Sequence, residues 1–339
     1  MASYCNHQRK RSYFTTILRA LIIGLAITAS ACSTSPKNPQ TTDLKGIYSV
    51  EIDNPNLLAQ HAPLLRVEQN EQDHNKIGTV IASKNDANKI KIDIDTRQAT
   101  LYGEQISFQG EYGRYTNLIY RFHFSRVPFS LLPFSLTYGS NVGLFIIITL
   151  NEAEKPVLVS TVHSCGCYLA FTPTDQLIAS AFPKNWPKEK QTVFGESLPS
   201  IIKLTDNKSR FIIDLRSSSH RVHNVSAINK KSLSSDSLVI PMLLGSIDSL
   251  RNLPLDDSTT TSMFANKGAR KGYVKGSNKP FEALLMSWWT FDPQIGVDKD
   301  YGDPEKTGTI FYTSLKPWNR KASNMWPFTG FLEFWGWSL

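Results

Sequence analysis

The residues of this 339-residue chain best equipped for chemistry are His163-Ser-Cys165-Gly-Cys167, an imidazole and two sulfurs at alternate positions. On a regular strand all three would point the same way, with alternate residues roughly 6.5–7 Å apart. That spacing suits neither obvious use. A disulfide needs Cα atoms no more than about 6.8 Å apart, and one metal ion needs both sulfurs within about 2.3 Å of it. Gly166 between the cysteines permits a bend that brings the sulfurs together, so the strand is expected to break here.

Three uses then compete. Two thiolates and an imidazole suit copper, as Cu(I), or zinc by ligand type. His123, in the strand-like Tyr120-Arg-Phe-His-Phe124, is a fourth ligand if its strand neighbours that of His163. A Cys-Gly-Cys disulfide is instead a thiol–disulfide redox pair, with His163 favouring the thiolate. The third use is structural, a small disulfide or two buried cysteines pinning a loop. A nucleophile built from Cys165 or Cys167 with His123 or His163 has no sequence signature behind it. Covalent haem lacks its Cys-x-x-Cys-His, and an iron–sulfur cluster lacks its four cysteines. Walker, dinucleotide, HExxH and GxSxG patterns are all missing from the sequence.

Other polar groups have blander readings. Asp93 and Asp95 fall on one side of Lys89-Ile-Lys-Ile-Asp-Ile-Asp95 and read as a solvated strand face rather than an acid–base pair. His220-Arg-Val-His223 sits among serines and reads as a surface pair. Asp298-x-Asp300-x-Gly302-Asp303 departs from calcium-loop spacing, lacks the closing glutamate and reads as a polar turn.

The element that must position the sulfur site is a hairpin. Leu144–Leu150, LFIIITL, is a β-branched run suited to a strand buried on both faces, Asn151–Pro156 is a turn, and Val157 begins the return strand. Upstream, Ile47–Ile52, Ile77–Ile81, Ile90–Asp95, Ala99–Tyr102, Ile106–Phe108 and Leu118–Phe124 read as strands. Arg126–Leu136, apolar but with Pro128 and Pro133, reads as a crossing loop and as a weak candidate for lying on a membrane. Ala181–Gln191 is a connector, and Ile201–Leu204 and Phe211–Leu215 are short strands. Pro241–Leu250 is predicted as a short helix, and Asp256–Lys279 as a long loop or domain boundary. Phe281, Leu284, Leu285, Trp288 and Trp289 form one apolar stripe on a helix opened by Pro280 and ended by Asp292-Pro293. Six of the seven tryptophans follow Ser287. This aromatic end is read as packing on the sheet, with an interfacial surface as the alternative. The predicted fold is therefore α+β: a mostly antiparallel β-sheet in the N-terminal two-thirds (46–215), a loop-rich connection (216–280), and a helical, Trp-rich C-terminal part (281–339).

The first 31 residues have the composition of a leader. Arg9, Lys10, Arg11 and Arg19 precede the short apolar run Ala20–Ile27, and Ala29-Ser30-Ala31 are small. The apolar run is well short of the ~20 residues that a spanning helix needs. Small residues running into Cys32 resemble the lipobox of bacterial lipoproteins, although Ala29 stands where that family most often has Leu. The resemblance covers this segment alone. It implies a lipidated Cys32 as the mature N-terminus. Ser33 after the cysteine implies sorting to the outer membrane of a Gram-negative cell, facing the periplasm. A plain secretory signal is the alternative. Residues 32–45 then read as a flexible tether.

The net charge of +8 includes four basic residues of that leader, leaving a mature chain of about +4, too mild to argue for nucleic acid. In an oxidising compartment Cys165 and Cys167 become a disulfide, a metal site or buried thiols. The leading functional expectation is a lipid-anchored envelope protein binding copper or zinc at His163, Cys165 and Cys167 with His123. The runner-up is a structural or interaction lipoprotein that meets membrane or an envelope partner through its aromatic C-terminus. The third is a thiol–disulfide protein.

Overall fold

The computed structural model describes residues 45–51, 56–204, 209–228, 238–255 and 258–339. The leader, Cys32 and nearly all of the tether lie outside the described residues. Among the described residues sixteen strands follow in order: β1 (Lys45–Val50), β2 (Leu64–Val67), β3 (Thr79–Lys84), β4 (Ile90–Asp95), β5 (Ala99–Gly110), β6 (Gly113–Val127), β7 (Gly139–Leu150), β8 (Pro156–His163), β9 (Ala170–Pro173), β10 (Lys190–Val193), β11 (Glu196–Pro199), β12 (Arg210–Leu215), β13 (Val222–Ile228), β14 (Leu238–Ser246), β15 (Leu253–Pro254) and β16 (Thr260–Thr261). Helix α1 (Leu57–His61) precedes β2, and α2 (Pro280–Thr290), α3 (Pro304–Thr307) and α4 (Phe328–Phe334) lie near the C-terminus.

Ten strands form one sheet in the order β13-β12-β2-β1-β14-β5-β6-β7-β8-β9. The run from β5 to β9 is an antiparallel meander. At the other end, β14 lies parallel between β1 and β5, and β12 lies parallel to β2. The small β10–β11 hairpin lies against both edge regions. Gln191 donates to the Phe171 carbonyl of β9, and Glu196 pairs with Arg221 beside β13. Covering edges in this way removes a template for unwanted pairing.

Two apolar cores occupy the two faces of this sheet. Phe145 and Ile147 of β7 enter one, with Phe171, Phe311, Phe331 and Trp337. Leu144, Ile146 and Ile148 enter the other, with Phe122, Phe124, Ile213 and Met242. A strand covered on both sides has no solvent face to mark with polar residues, which explains the unbroken LFIIITL run. The β7–β8 hairpin forms as the sequence indicated.

The predicted architecture needs correction. Strand accounts for 43% of the described residues and helix for 16%, and the main sheet is mixed rather than mostly antiparallel. The C-terminal part is not helical in bulk: beyond α2 it holds helices of four and seven residues set in irregular chain. Pro241–Leu250 is not a helix. It belongs to β14 and to a short 3-10 turn after it. Its parallel partner is nearly 200 residues away, at Ser49↔Pro241 and Val50↔Met242, so no local pattern announces it. The segment 256–279, predicted as a long loop or domain boundary, places Met263, Phe264 and Val274 in the core.

Helix α2 has the expected bounds, with Pro280 in its first turn and Phe291 in the left-handed conformation at its end. Its orientation is the surprise. Glu282 and Thr290 are the buried residues, while Leu284, Leu285, Trp288 and Trp289 are exposed. The carboxylate of Glu282 lies against Gly296, where any β-carbon would collide with it.

Trp337 and Trp335 separate the aromatic tail into core and surface. Trp337 is 1% exposed and packs on Phe171, Phe182 and Trp186, with ring centroids 4.7–5.8 Å away, whereas Trp335 is 38% exposed. Trp337→Ala is expected to cost about 3–5 kcal/mol in urea unfolding. Trp335→Ala is expected to cost less than half as much; equal losses would contradict this packing.

Candidate functional site

Strand register decides which predicted ligands can meet. In the β6–β7 pair His123 lies opposite Gly143, and in the β7–β8 pair His163 lies opposite Leu144. Neighbouring positions on β7 face opposite sides of the sheet. His123 therefore shares its side with Arg121 and Phe145, and His163 belongs to the side of Phe122, Phe124 and Leu144. The four predicted metal ligands are split between two faces.

The cysteines do come together. After β8 the chain turns through Gly166, whose φ is +91°, and Cys165 and Cys167 form a disulfide with Cα atoms 5.6 Å apart. His163 N donates to Cys167 O at 2.9 Å and Gly166 N donates to His163 O at 2.7 Å, closing the loop on itself. A β-carbon at position 166 would lie 2.0 Å from the Tyr312 carbonyl oxygen, so glycine is required here by contact as well as by conformation.

Buried charge clasps this loop from the outside. Asp298 has no exposed surface, and its Oδ2 accepts from Ser164 Oγ at 2.5 Å and from Gly143 N at 2.7 Å. Lys279 Nζ lies 3.6 Å from the other oxygen. Next along the chain, Lys299 donates its backbone N–H to Ser164 O at 2.8 Å and its Nζ to Cys165 O. That ammonium lies over the rings of Tyr312 and Tyr273, 4.2 and 5.9 Å from their centroids. Burial draws the Lys299 pKa down to about 8, against the pull of Asp292 and Asp298. Arg121, fully buried and lowered to about 10 by desolvation, donates to Lys299 O and sits over Phe145 and Phe264.

The histidines nearby are held neutral. Arg121 Nε donates to His123 Nε2 at 3.0 Å, which occupies that lone pair and puts the imidazole proton on Nδ1. His163 Nε2 reaches His220 O at 3.2 Å, and His220 Nε2 reaches His74 O at 2.9 Å, so each carries its proton on Nε2. Burial depresses all three, His220 to about 3 and His123 and His163 well below the usual range.

Several sequence expectations change here. His220 is not a surface residue: it is buried and stacked on Phe124, centroids 3.7 Å apart. Asp298 and Asp300 are not a polar turn; both are buried, and Asp300 pairs with Arg251 at 2.7 Å. Asp93 and Asp95 pair with exposed Lys91 and Arg97, as a half-solvated strand face allows. Sequence reasoning missed Lys279, Lys299 and Arg121, since nothing in a lone basic residue announces its burial. Among the described residues no three His, Cys, Asp or Glu side chains are grouped to hold a metal ion. The sulfurs are spent on each other. A separate open groove, lined among others by Tyr48, Asn70, Ile77, Arg97 and Met242, contains none of these residues. The arrangement is suited to holding a loop in place.

Comparison of the chain with known protein families, with curated proteins and with solved structures finds no match.

Two measurements check the clasp. Asp298→Asn leaves the buried Lys279 ammonium without its counter-charge and is expected to cost about 3–5 kcal/mol in denaturant melts. Asp93→Asn, at an exposed pair, should cost less than about 1 kcal/mol. Stability should also depend on pH through the three neutral histidines. Their folded pKa values lie below the unfolded value of about 6.5, so the unfolded chain takes up protons that the folded one refuses. Their contribution is complete above about pH 6.5, and each withdraws about 1.4 kcal/mol per pH unit below it. Urea midpoints that do not fall between pH 7 and pH 5 would contradict the assignment.

Proposed function

We propose that this chain is a lipid-anchored protein of the bacterial envelope, held through Cys32 at the periplasmic face of the outer membrane. Its folded body works by contact with a surface or partner rather than by metal or thiol turnover. The observation that carries this reading is the Cys165–Cys167 disulfide set inside a buried polar clasp. Such bonds persist where the surroundings are oxidising, outside the cytosol, which agrees with a basic leader that runs into Cys32. The same bond leaves no thiolate for a soft metal, and the register of β6, β7 and β8 keeps His123 away from His163. Among the described residues no helix is long and apolar enough to cross a membrane, so attachment in this reading falls to the lipid.

Metabolic labelling with a palmitate analogue tests the anchor. Wild type is expected to take up label and to fractionate with outer membranes, and Cys32→Ser to take up none. An unlabelled wild type, or label that persists in Cys32→Ser, would sink the anchor. For the body, loading purified protein with copper or zinc should leave both wild type and the Cys165→Ser/Cys167→Ser variant below one equivalent. A full equivalent on wild type that the double variant loses would restore metal binding.

A further inference from the structure

Helix α2 turns its apolar side to solvent and its polar side to the protein. Its inward positions are Glu282, Met286 and Thr290, spaced four apart, with Thr290 Oγ1 bonded back to Met286 O at 2.8 Å. Its outward positions are Leu284 (72% exposed), Leu285, Trp288 (73%) and, just past its end, Phe291 (76%). A helix packed for stability alone buries its apolar stripe. Contiguous exposed apolar surface of this kind marks a contact site.

The surroundings extend the face and give it a charge. At the N-terminal end of α2, Phe281 packs against Phe129 and Tyr138 with ring centroids 5.8 and 5.9 Å apart, and Phe129 is itself half exposed. At the C-terminal end, Arg320 donates to the carbonyls of Thr290 and Phe291, docking the turn Lys316-Pro-Trp-Asn-Arg-Lys321 there. Trp318 in that turn is 76% exposed, and Lys316 and Lys321 are exposed beside it.

We propose that this outward face of α2, with the Trp318 turn, seats on the surface of a lipid bilayer bearing acidic headgroups. Tryptophan and leucine on one side of a surface helix enter the boundary between acyl chains and headgroups, and the flanking lysines, Lys316 and Lys321, meet the acidic groups. An exposed basic rim with no acidic residue in the Lys316–Lys321 turn matches that charge. The inference rests on the anchored reading in one respect. Only 12 residues lie between Cys32 and Lys45, a reach of at most about 45 Å. A lipid on Cys32 would therefore keep this face near the bilayer at high effective concentration, so weak docking suffices.

Vesicle sedimentation tests it with the mature chain carrying Cys32→Ser, so that no acyl chain contributes. The probes are phosphatidylcholine vesicles and vesicles in which roughly one-third of the lipid is phosphatidylglycerol. Binding is expected to the acidic vesicles, with a blue shift of tryptophan emission and quenching by brominated acyl chains. Leu284→Ser/Trp288→Ser should lower the partition at least about tenfold at unchanged melting temperature, because both side chains are exposed. Lys316→Glu/Lys321→Glu should do so on acidic vesicles, and raising salt to roughly 0.5 M should weaken wild-type binding. Absence of vesicle binding, or equal binding by both variants, overturns the proposal. So does a stable dimer that Leu284→Ser/Trp288→Ser disperses, because a second copy would then be what covers the helix. The two readings fail separately. A missing palmitate label with vesicle binding intact removes the anchor alone, and a label without vesicle binding removes the docking face alone.

Discussion

A single carboxylate with no exposed surface holds together the parts of this protein that are far apart in sequence. Asp298 accepts from the backbone of β7 at Gly143 and from Ser164 beside the disulfide, and it lies next to the ammonium of Lys279 at the foot of α2. Its own backbone N–H goes to Ser277, and its carbonyl accepts from Val274. A buried ion is stabilising only when its neighbours replace what water supplied, and here donors arrive from several segments of chain. The cost of losing any one donor is high for that reason, and the geometry of the loop, the sheet end and the C-terminal chain is specified jointly.

The disulfide is best understood within that arrangement. It closes a very short loop, and a cross-link over so few residues removes little unfolded-state entropy. Its role is local: it fixes the carbonyls of Ser164 and Cys165 where the backbone and side chain of Lys299 meet them. Gly166 allows the Tyr312 carbonyl to approach, which brings the C-terminal chain against the same loop. The neutral histidines on the other face of the sheet serve packing in the same sense, His220 by stacking flat on Phe124.

Against this interior, α2 stands out because local pattern and tertiary placement disagree. The helix could have buried Trp288 and Leu284 but instead turns Glu282 and Thr290 inward. Conflicts of that kind concentrate where a surface has work to do. Stability comes from the other aromatics of the C-terminal part, Phe311, Phe331 and Trp337, which are buried in the core.

The sequence by itself determined the β-rich character of the first half, the β7–β8 hairpin, the extent of α2 and the bend at Gly166. Each of these rests on neighbouring residues: alternation, a β-branched run, a proline at a helix start, a glycine between two cysteines. Tertiary structure alone decided the parallel insertion of β14, because its partners Val50 and Ala99 are distant in the chain and the proline and short apolar run of that segment suit a helix equally well. It also decided that His123 and His163 face opposite sides, since a one-residue offset in strand register reverses a side chain's direction. Nothing in Asp298-x-Asp300 indicated burial, because burial depends on which donors other segments bring. The stripe on α2 was legible as a pattern, but which way it faced was not: periodicity gives the stripe, and only the packing of neighbouring chain gives its direction.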